Sequence, residues 1–166
     1  MSRELRADSI FNLLHEHDVA FVLIGGLALG AHGVVRGTKD VDIVPNPEPA
    51  NLARLATALE AIGAQVDIGD IEARELAIEP DLTGLSEGGN WVFSTDLGRL
   101  EVLQDVAGSR GYEHLRAGAL AVNAPGVAQP ILCAGFDDLI AMKAAAGRDQ
   151  DLIDIDALRR ARGELG

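Results

Sequence analysis

Two aspartates one residue apart, Asp40 and Asp42, lie in the segment TKDVDIV at residues 38–44. Successive side chains of a β-strand point to opposite faces, so both carboxylates would share one face, roughly 6.6 Å apart along the backbone. The intervening Val41 and the following Ile43 would then face the core. Adjacent carboxylates repel each other unless a proton or cation lies between them, and such oxygen ligands bind Mg²⁺ that is shared with substrate phosphates. The segment therefore predicts metal-dependent chemistry on a phosphate.

A third acid is expected near this pair, because two-metal phosphoryl transfer usually needs another carboxylate to position or deprotonate the attacking hydroxyl. Glu101 is the best candidate, since it lies in the strand-like segment GRLEVL at residues 98–103. Leu100 and Val102 would share one face of that strand and leave Glu101 on the other. A structural salt bridge between Glu101 and Arg99 is the alternative interpretation.

The C-terminal part contributes a cation and two more acids. Lys143 falls on the apolar stripe of a helix predicted over 137–146, and an ammonium group there could bind phosphate. Alternatively, its side chain extends past Met142 into water. Asp151 and Asp154 lie in the first turn of the next predicted helix, where the helix dipole favours acids without any further role.

Composition and charge limit the possible classes of protein. The chain has 166 residues, 48% apolar and 24% charged, which suits one globular domain spanning residues 1–166. Its net charge of −12 opposes extended binding to nucleic acid or to anionic membranes. The single Cys133 excludes an internal disulfide, the N-terminus lacks the apolar core of a signal peptide, and the apolar run at 19–31 is too short to span a membrane. These features favour a cytoplasmic protein.

The apolar periodicity predicts an α/β or α+β fold with a mixed β-sheet flanked by helices, two of them at the C-terminus. Helices are predicted over about 3–16, 27–31, 50–61, 137–146 and 151–161, strands over 20–24, 40–44, 65–68, 75–78, 91–94, 100–104, 119–122 and 130–133, and a mobile loop over 79–90. The helix at 50–61 links two strands, which indicates a crossover connection.

Two segments, IGGLA at 24–28 and RGTKDVD at 36–42, resemble the signature of the DNA polymerase β-type nucleotidyltransferase superfamily. The arginine and threonine before the acids are similar to the minimal bacterial branch that includes abortive-infection and toxin–antitoxin nucleotidyltransferases. The segments 90–108 and 138–158 resemble the third-acid strand and the C-terminal helices of that branch. The ordered series is more specific than any one motif.

The resemblance implies a role for each matching residue. Asp40, Asp42 and Glu101 would be the catalytic acids and would hold Mg²⁺ or Mn²⁺. Nucleotide contacts would come from a glycine turn and from polar residues before and after the acids: Gly25, Gly26, Arg36, Thr38, Lys143, Asp151 and Asp154. The chain departs from the family pattern at two positions, since Ser is common where it has Gly26 and Asp is common where it has Glu101.

The implied reaction moves a nucleoside monophosphate from an NTP to an acceptor hydroxyl and releases pyrophosphate. In the resembled branch the acceptor can be RNA, tRNA in particular, and such enzymes often act as toxins beside an antitoxin protein. Three arginines, Arg159, Arg160 and Arg162, could form a small basic patch, but a protein or a small molecule suits the net charge equally well. The alternative is an inactive module that has kept the fold and binds a nucleotide or a protein partner.

Overall fold

The computed structural model describes residues 4–67 and 81–163. Within these ranges the chain forms seven α-helices, one 3₁₀-helix and seven strands. The helices are α1 (Ala7–Glu16), α2 (Gly25–Ala28), α3 (Pro49–Ala61), α4 (Leu82–Ser86), α5 (Tyr112–Gly118), α6 (Phe136–Ala146) and α7 (Asp149–Ala161), with the 3₁₀-helix at Leu29–His32. The strands are β1 (Phe21–Ile24), β2 (Asp40–Pro45), β3 (Gln65–Val66), β4 (Asn90–Thr95), β5 (Gly98–Leu103), β6 (Leu120–Val122) and β7 (Ile131–Cys133).

All seven strands join one mixed sheet in the order β3-β4-β5-β2-β1-β7-β6. Two pairs, β2 with β5 and β1 with β7, are parallel, and the other neighbours are antiparallel. Strand β3 therefore runs in the same direction as β2, and α3 makes the crossover between them. The mixed sheet and the two C-terminal helices confirm the predicted fold class.

The central strands separate a core face from a polar face. Val41 and Ile43 of β2 and Leu100 and Val102 of β5 are fully buried. The alternate positions of the same strands carry acids and an arginine that keep partial exposure. This is the alternation expected of a sheet covered on one side, and it confines the chemistry to one face. None of the helices formed by residues 4–67 and 81–163 has both the length and the apolar content needed to span a bilayer.

Two helices differ from the sequence-based expectation. The mobile loop predicted over 79–90 is wrong for residues 82–86, where Asp81 caps the short helix α4 by accepting a hydrogen bond from the Gly84 amide at 2.8 Å. Helix α5 was not predicted, because its seven residues are too few for a periodic pattern to stand out. The strand predicted over 75–78 lies outside the described residues.

A buried asparagine fastens the connections that lead into β1 and out of β2. The Asn51 side chain of α3 accepts a hydrogen bond from the Ala20 amide at 2.7 Å and donates to the carbonyls of Ala20 and Asn46 at 2.9 and 2.8 Å. Only 1% of Asn51 is exposed. These bonds fix the start of β1 against the end of β2; at their other ends, Gly25 follows β1 and Asp40 begins β2.

We expect Asn51→Ala to lower the free energy of unfolding by about 2–3 kcal/mol, because the substitution leaves the partly buried Ala20 amide without its acceptor and two backbone carbonyls without their donor. The corresponding fall in Tm is roughly 5–10 °C for a chain of this size. Thr57→Ala on the exposed face of the same helix is the control and should change stability by less than about 0.5 kcal/mol. Equal Tm values for the two variants, measured by thermal unfolding, would contradict this role of Asn51.

Candidate metal and nucleotide site

Three carboxylates meet on the polar face because β2 and β5 pair in parallel. The register places Asp42 opposite Glu101 and Asp40 opposite Arg99. One oxygen from each of Asp40, Asp42 and Glu101 lies within 4.8 Å of the other two. The structure therefore brings together the three acids that the sequence indicated, and hard oxygen donors at this spacing are the ligands that Mg²⁺ or Mn²⁺ takes.

The acids are held at an electrostatic cost. Burial raises the pKa of Asp42 to about 8, with further contributions from the hydrogen bond and charge of Glu101 and from the charge of Asp40. Burial and the charge of Glu101 also raise the pKa of Asp40, although Arg99 and Lys39 oppose the shift. Without a cation the cluster retains a proton near neutral pH. A divalent ion would take the place of that proton.

One oxygen of Asp42 supports the same interpretation. Its Oδ1 atom is buried and has no hydrogen-bond partner among the described residues. Leaving a buried charged acceptor unpaired is costly, so such atoms usually mark a ligand or a functional strain. The donor set and this orphaned oxygen together fit a divalent metal.

Arg99 lies among the acids on the same face of β5. Its guanidinium approaches Asp40 at 3.3 Å, Glu101 at 3.6 Å and Asp67, just beyond β3, at 3.2 Å. The salt bridge between Glu101 and Arg99 that was the alternative for Glu101 is thus present, together with the acid cluster. The two interpretations of Glu101 are compatible, since one carboxylate can face both groups.

Gly25 and Gly26 begin α2 directly after β1, beside the acids. The register of β1 with β2 places Ile24 opposite Asp42. Gly25 has a φ of +75°, and a Cβ on it would overlap the Asp42 carboxylate. Only glycine meets both conditions. The backbone can therefore approach the acids closely at this point.

The glycine at position 26 has a local structural reason. A Cβ on Gly26 would lie 2.7 Å from the Thr38 methyl group and 3.0 Å from a nitrogen of the Arg36 guanidinium. Thr38 also donates a hydrogen bond from its hydroxyl to the carbonyl of Asp40 at 3.2 Å. The space that a serine side chain would need is thus taken by Arg36 and Thr38, which lie immediately before the acids.

Asp154 gathers the cations on the helical side of the site. Its two oxygens accept hydrogen bonds from Arg36 at 2.8 and 3.0 Å, from Lys143 at 2.8 Å and from Gln150 at 2.9 Å. Burial raises the pKa of Asp154, but these hydrogen bonds together lower it below its ordinary value. Lys143 is 6% exposed, so the alternative in which it extends into water is wrong. Its charge lowers the pKa of Asp42.

Asp151 lies in the first turn of α7, which is the structural role given above as its alternative, and it also binds Arg148. It accepts hydrogen bonds from the amide and side chain of Arg148 at 3.1 and 2.7 Å and lies 3.8 Å from the Lys143 ammonium. The hydrogen bond and charge of Asp151 raise the pKa of Arg148 most, and the charges of Glu101 and Asp42 add to it. Arg148, with 78% of its side chain exposed, is thus an accessible cation whose charge interacts with those of Glu101 and Asp42.

A cleft of about 860 Å³ adjoins Asp40 on the polar face of the sheet. The described residues that line it are mostly polar and include Lys39, Asp67, Ser94 and Arg99. Sequence reasoning missed Arg99 and Arg148 as members of the site. Strand alternation could have found Arg99, two residues before Glu101, whereas nothing in the local sequence places Arg148 near acids of a distant strand.

Solved structures provide a comparison for this geometry. The lincomycin-bound lincosamide antibiotic adenylyltransferase LnuA is similar with a TM-score of 0.63 and 14% identity, over 96% of this chain and 99% of LnuA. ANT(2'')-Ia in complex with adenylyl-2''-tobramycin gives a TM-score of 0.57 and 17% identity, over 95% and 86% of the two chains. The solution structure of the antibiotic-resistance factor ANT(2'')-Ia gives 0.54 and 18%, over 95% and 80%.

No protein-family model and no curated protein matches the sequence. Identities below 20% establish similarity of fold, and they leave the reaction to be argued from the residues of this chain. The match extends over nearly the whole of both chains in the comparison with LnuA. The chain therefore has the nucleotidyltransferase fold, as its resemblance to the polymerase β-type superfamily implied.

Proposed function

We propose that this protein is a metal-dependent nucleotidyltransferase, which moves a nucleoside monophosphate from an NTP to an acceptor hydroxyl and releases pyrophosphate. The observation that carries the proposal is the convergence of Asp40, Asp42 and Glu101 within 4.8 Å, with one buried Asp42 oxygen lacking a partner among the described residues. Such an arrangement is costly unless a cation offsets it. An inactive binding module would have no need to keep it.

Each acid has a role in this reaction. Asp40, Asp42 and Glu101 would hold one or two Mg²⁺ or Mn²⁺ ions, and a bound ion supplies neutralisation of charge on the α-phosphate and the leaving pyrophosphate. Glu101 would also orient the acceptor hydroxyl or accept its proton. The acids otherwise act by position and charge, as is usual in phosphoryl transfer.

The nucleotide would bind between the glycine turn and the C-terminal helices. Gly25 and Gly26 let the backbone lie directly against Asp42, Thr38 and Arg36, and a triphosphate bound at the acids would lie beside this turn. Arg148 is the accessible cation that could contact the phosphates directly. Asp154 would act as a positioning residue, because it fixes Arg36 and Lys143 on the same side of the site.

A small molecule is the acceptor that we propose. The net charge of −12 opposes a long nucleic-acid footprint. Of the three arginines that could have formed a basic patch, Arg162 instead packs over the Phe136 ring at 3.5 Å. LnuA was solved with lincomycin and ANT(2'')-Ia with adenylyl-2''-tobramycin, so proteins of this fold accept small molecules. A tRNA-directed toxin with an antitoxin partner is the competing outcome of the acceptor experiment below.

The wild-type protein should transfer label from an α-³²P-labelled NTP to an acceptor when it is incubated with Mg²⁺ and a cell extract. Fractionating the extract into small molecules, RNA and protein identifies the acceptor class. Asp42→Asn and Glu101→Gln should each reduce transfer by about 10²-fold or more, because each removes a charge that the transition state needs. Asp156→Ala, on the exposed face of α7, is the control and should keep full activity.

Label found in RNA would favour the tRNA-directed alternative over a small-molecule acceptor. No transfer by the wild type with any of the four NTPs and either metal would contradict the enzymatic proposal and favour the binding module.

Stability in EDTA should fall as pH rises from about 4 to 8, since folded Asp42 keeps a proton that the unfolded chain releases near pH 3.8. Its contribution is fully present below about pH 4 and is lost as pH passes about 8. The Asn side chain of Asp42→Asn is neutral in the folded and the unfolded chain. At pH 8 the free energy of unfolding of this variant should therefore exceed that of the wild type by at least about 1 kcal/mol, or roughly 2–4 °C in Tm. Thermal unfolding across this pH range measures the effect. Repeating the scans with Mg²⁺ should restore the stability of the wild type at pH 8 and leave that of Asp42→Asn unchanged.

Asp154→Ala should lower the free energy of unfolding by about 3 kcal/mol, because it leaves the buried Lys143 without its nearest counterion. Asp156→Ala on the same helix should change it by less than about 0.5 kcal/mol. Urea unfolding measures both. The milder Asp154→Asn should fold and raise the KM for the NTP by loosening Arg36 and Lys143; an unchanged KM would show that the cluster serves the fold alone.

A further inference from the structure

We propose that Arg99 is a built-in counterion that competes with the metal for the acid cluster, and that Asp67 is the group that retains Arg99 once the metal binds. The inference rests on the proposed metal site and concerns how the charges of that site are balanced when no ion is bound. Arg99 would be a positioning residue rather than a catalytic one, since it acts through Asp40 and Glu101.

The guanidinium of Arg99 contacts the acid cluster with two of its nitrogens and Asp67 with the third. Its Nε atom lies 3.3 Å from Asp40 and its Nη2 atom lies 3.6 Å from Glu101, both members of the acid cluster. Its Nη1 atom donates a hydrogen bond to Asp67 at 3.2 Å. The contacts with the cluster are therefore longer than the contact with Asp67, the only one of the three that meets hydrogen-bond geometry among those described.

The sheet topology places Asp40 and Asp67 on opposite sides of Arg99, while Glu101 lies two residues farther along the same strand. Strand β2, with the two aspartates, lies on one side of β5, while β4 and then β3 lie on the other. Asp67 directly follows β3, and its amide donates to the Val92 carbonyl of β4 at 2.8 Å, which fixes its backbone two strands away from β5. A shift of Arg99 toward Asp67 is thus a shift away from the two aspartates of β2.

A divalent ion and the guanidinium cannot share the same carboxylate oxygens without repulsion. Arg99 can move away from the carboxylates, because 45% of its side chain is exposed and a long, half-exposed side chain changes rotamer at little cost. Asp67 makes the move favourable by keeping an ion pair that does not involve the cluster. Arg99 therefore offsets the repulsion of the empty site but weakens its intrinsic affinity for metal.

Direct Mn²⁺ binding, followed by calorimetry and by the electron paramagnetic resonance of free Mn²⁺, tests this without any turnover. Arg99→Gln should bind Mn²⁺ about fivefold tighter than the wild type, a factor typical of one partly exposed charge contact. Asp67→Asn should bind it more weakly, since Arg99 then rests on the cluster alone. The double variant should match Arg99→Gln, because the effect of Asp67 on the metal site would be transmitted through Arg99.

Lys39→Gln is the matched control. Lys39 influences Asp40 through its charge, yet no contact between its ammonium and the cluster is described, so the variant should change Mn²⁺ affinity by less than about twofold. An effect as large as that of Arg99→Gln would show that any nearby charge has this influence and would overturn the proposal. An equal effect of Asp67→Asn with and without Arg99 would overturn it as well.

NMR spectroscopy of the wild-type protein tests the movement of the Arg99 side chain directly. The Nε–H resonance of Arg99 should shift when Mg²⁺ is added and should move little when buffer of equal ionic strength without any divalent ion is added instead; an unmoved resonance at saturating Mg²⁺ would contradict the proposal. Failure of the protein and of Arg99→Gln to bind Mn²⁺ at all would contradict the metal site itself. Equal binding by both proteins would contradict only the role of Arg99.

Discussion

The repulsion among three carboxylates on two parallel strands is the constraint to which the rest of the site responds. The register of β2 with β5 sets Asp42 beside Glu101. Changing side-chain rotamers alone would not move the two charges far enough apart, about 8–10 Å, for salt to screen their repulsion. Cations approach from two directions. Arg99 comes from within the sheet, and Lys143 comes from α6. The burial that raises the pKa of Asp42 is the same feature that would make a bound divalent ion effective, since charges interact more strongly away from water.

The second constraint is the junction between the C-terminal helices and the segment before β2. Asp154 of α7 binds Arg36 and Lys143 at once, so one buried carboxylate joins three parts of the chain. Buried ion clusters of this kind contribute little net stability, but they are costly to break on one side only. The cluster therefore specifies where the helices lie relative to the acids more than it strengthens the fold.

Much of this arrangement could be predicted from the sequence, because the strongest signals are local. The alternation in residues 38–44 places Asp40 and Asp42 on one face of β2, and the same reasoning separates Glu101 from its apolar neighbours. Strand order is not local: nothing in either segment states that β2 and β5 are neighbours, and only the chemical expectation of a third acid and the family resemblance joined them. Helix α4 depended on one capping side chain, Asp81, within a polar stretch that otherwise has the composition of a loop. The sequence also did not predict that Lys143 binds Asp154, because a cation on an apolar stripe is equally consistent with a side chain directed into solvent.

The pairing of β2 with β5 also has a consequence for how the chain acquires its chemistry. The acids that meet across this pair are separated by about sixty residues of sequence, which is a long loop to close before any contact rewards it. During synthesis, a nascent chain that has formed β1, α2 and β2 would hold the two aspartates without the glutamate. On the proposed function, competence for nucleotidyl transfer would then arise only when the middle of the sheet is completed, since Glu101 joins the two aspartates at that stage.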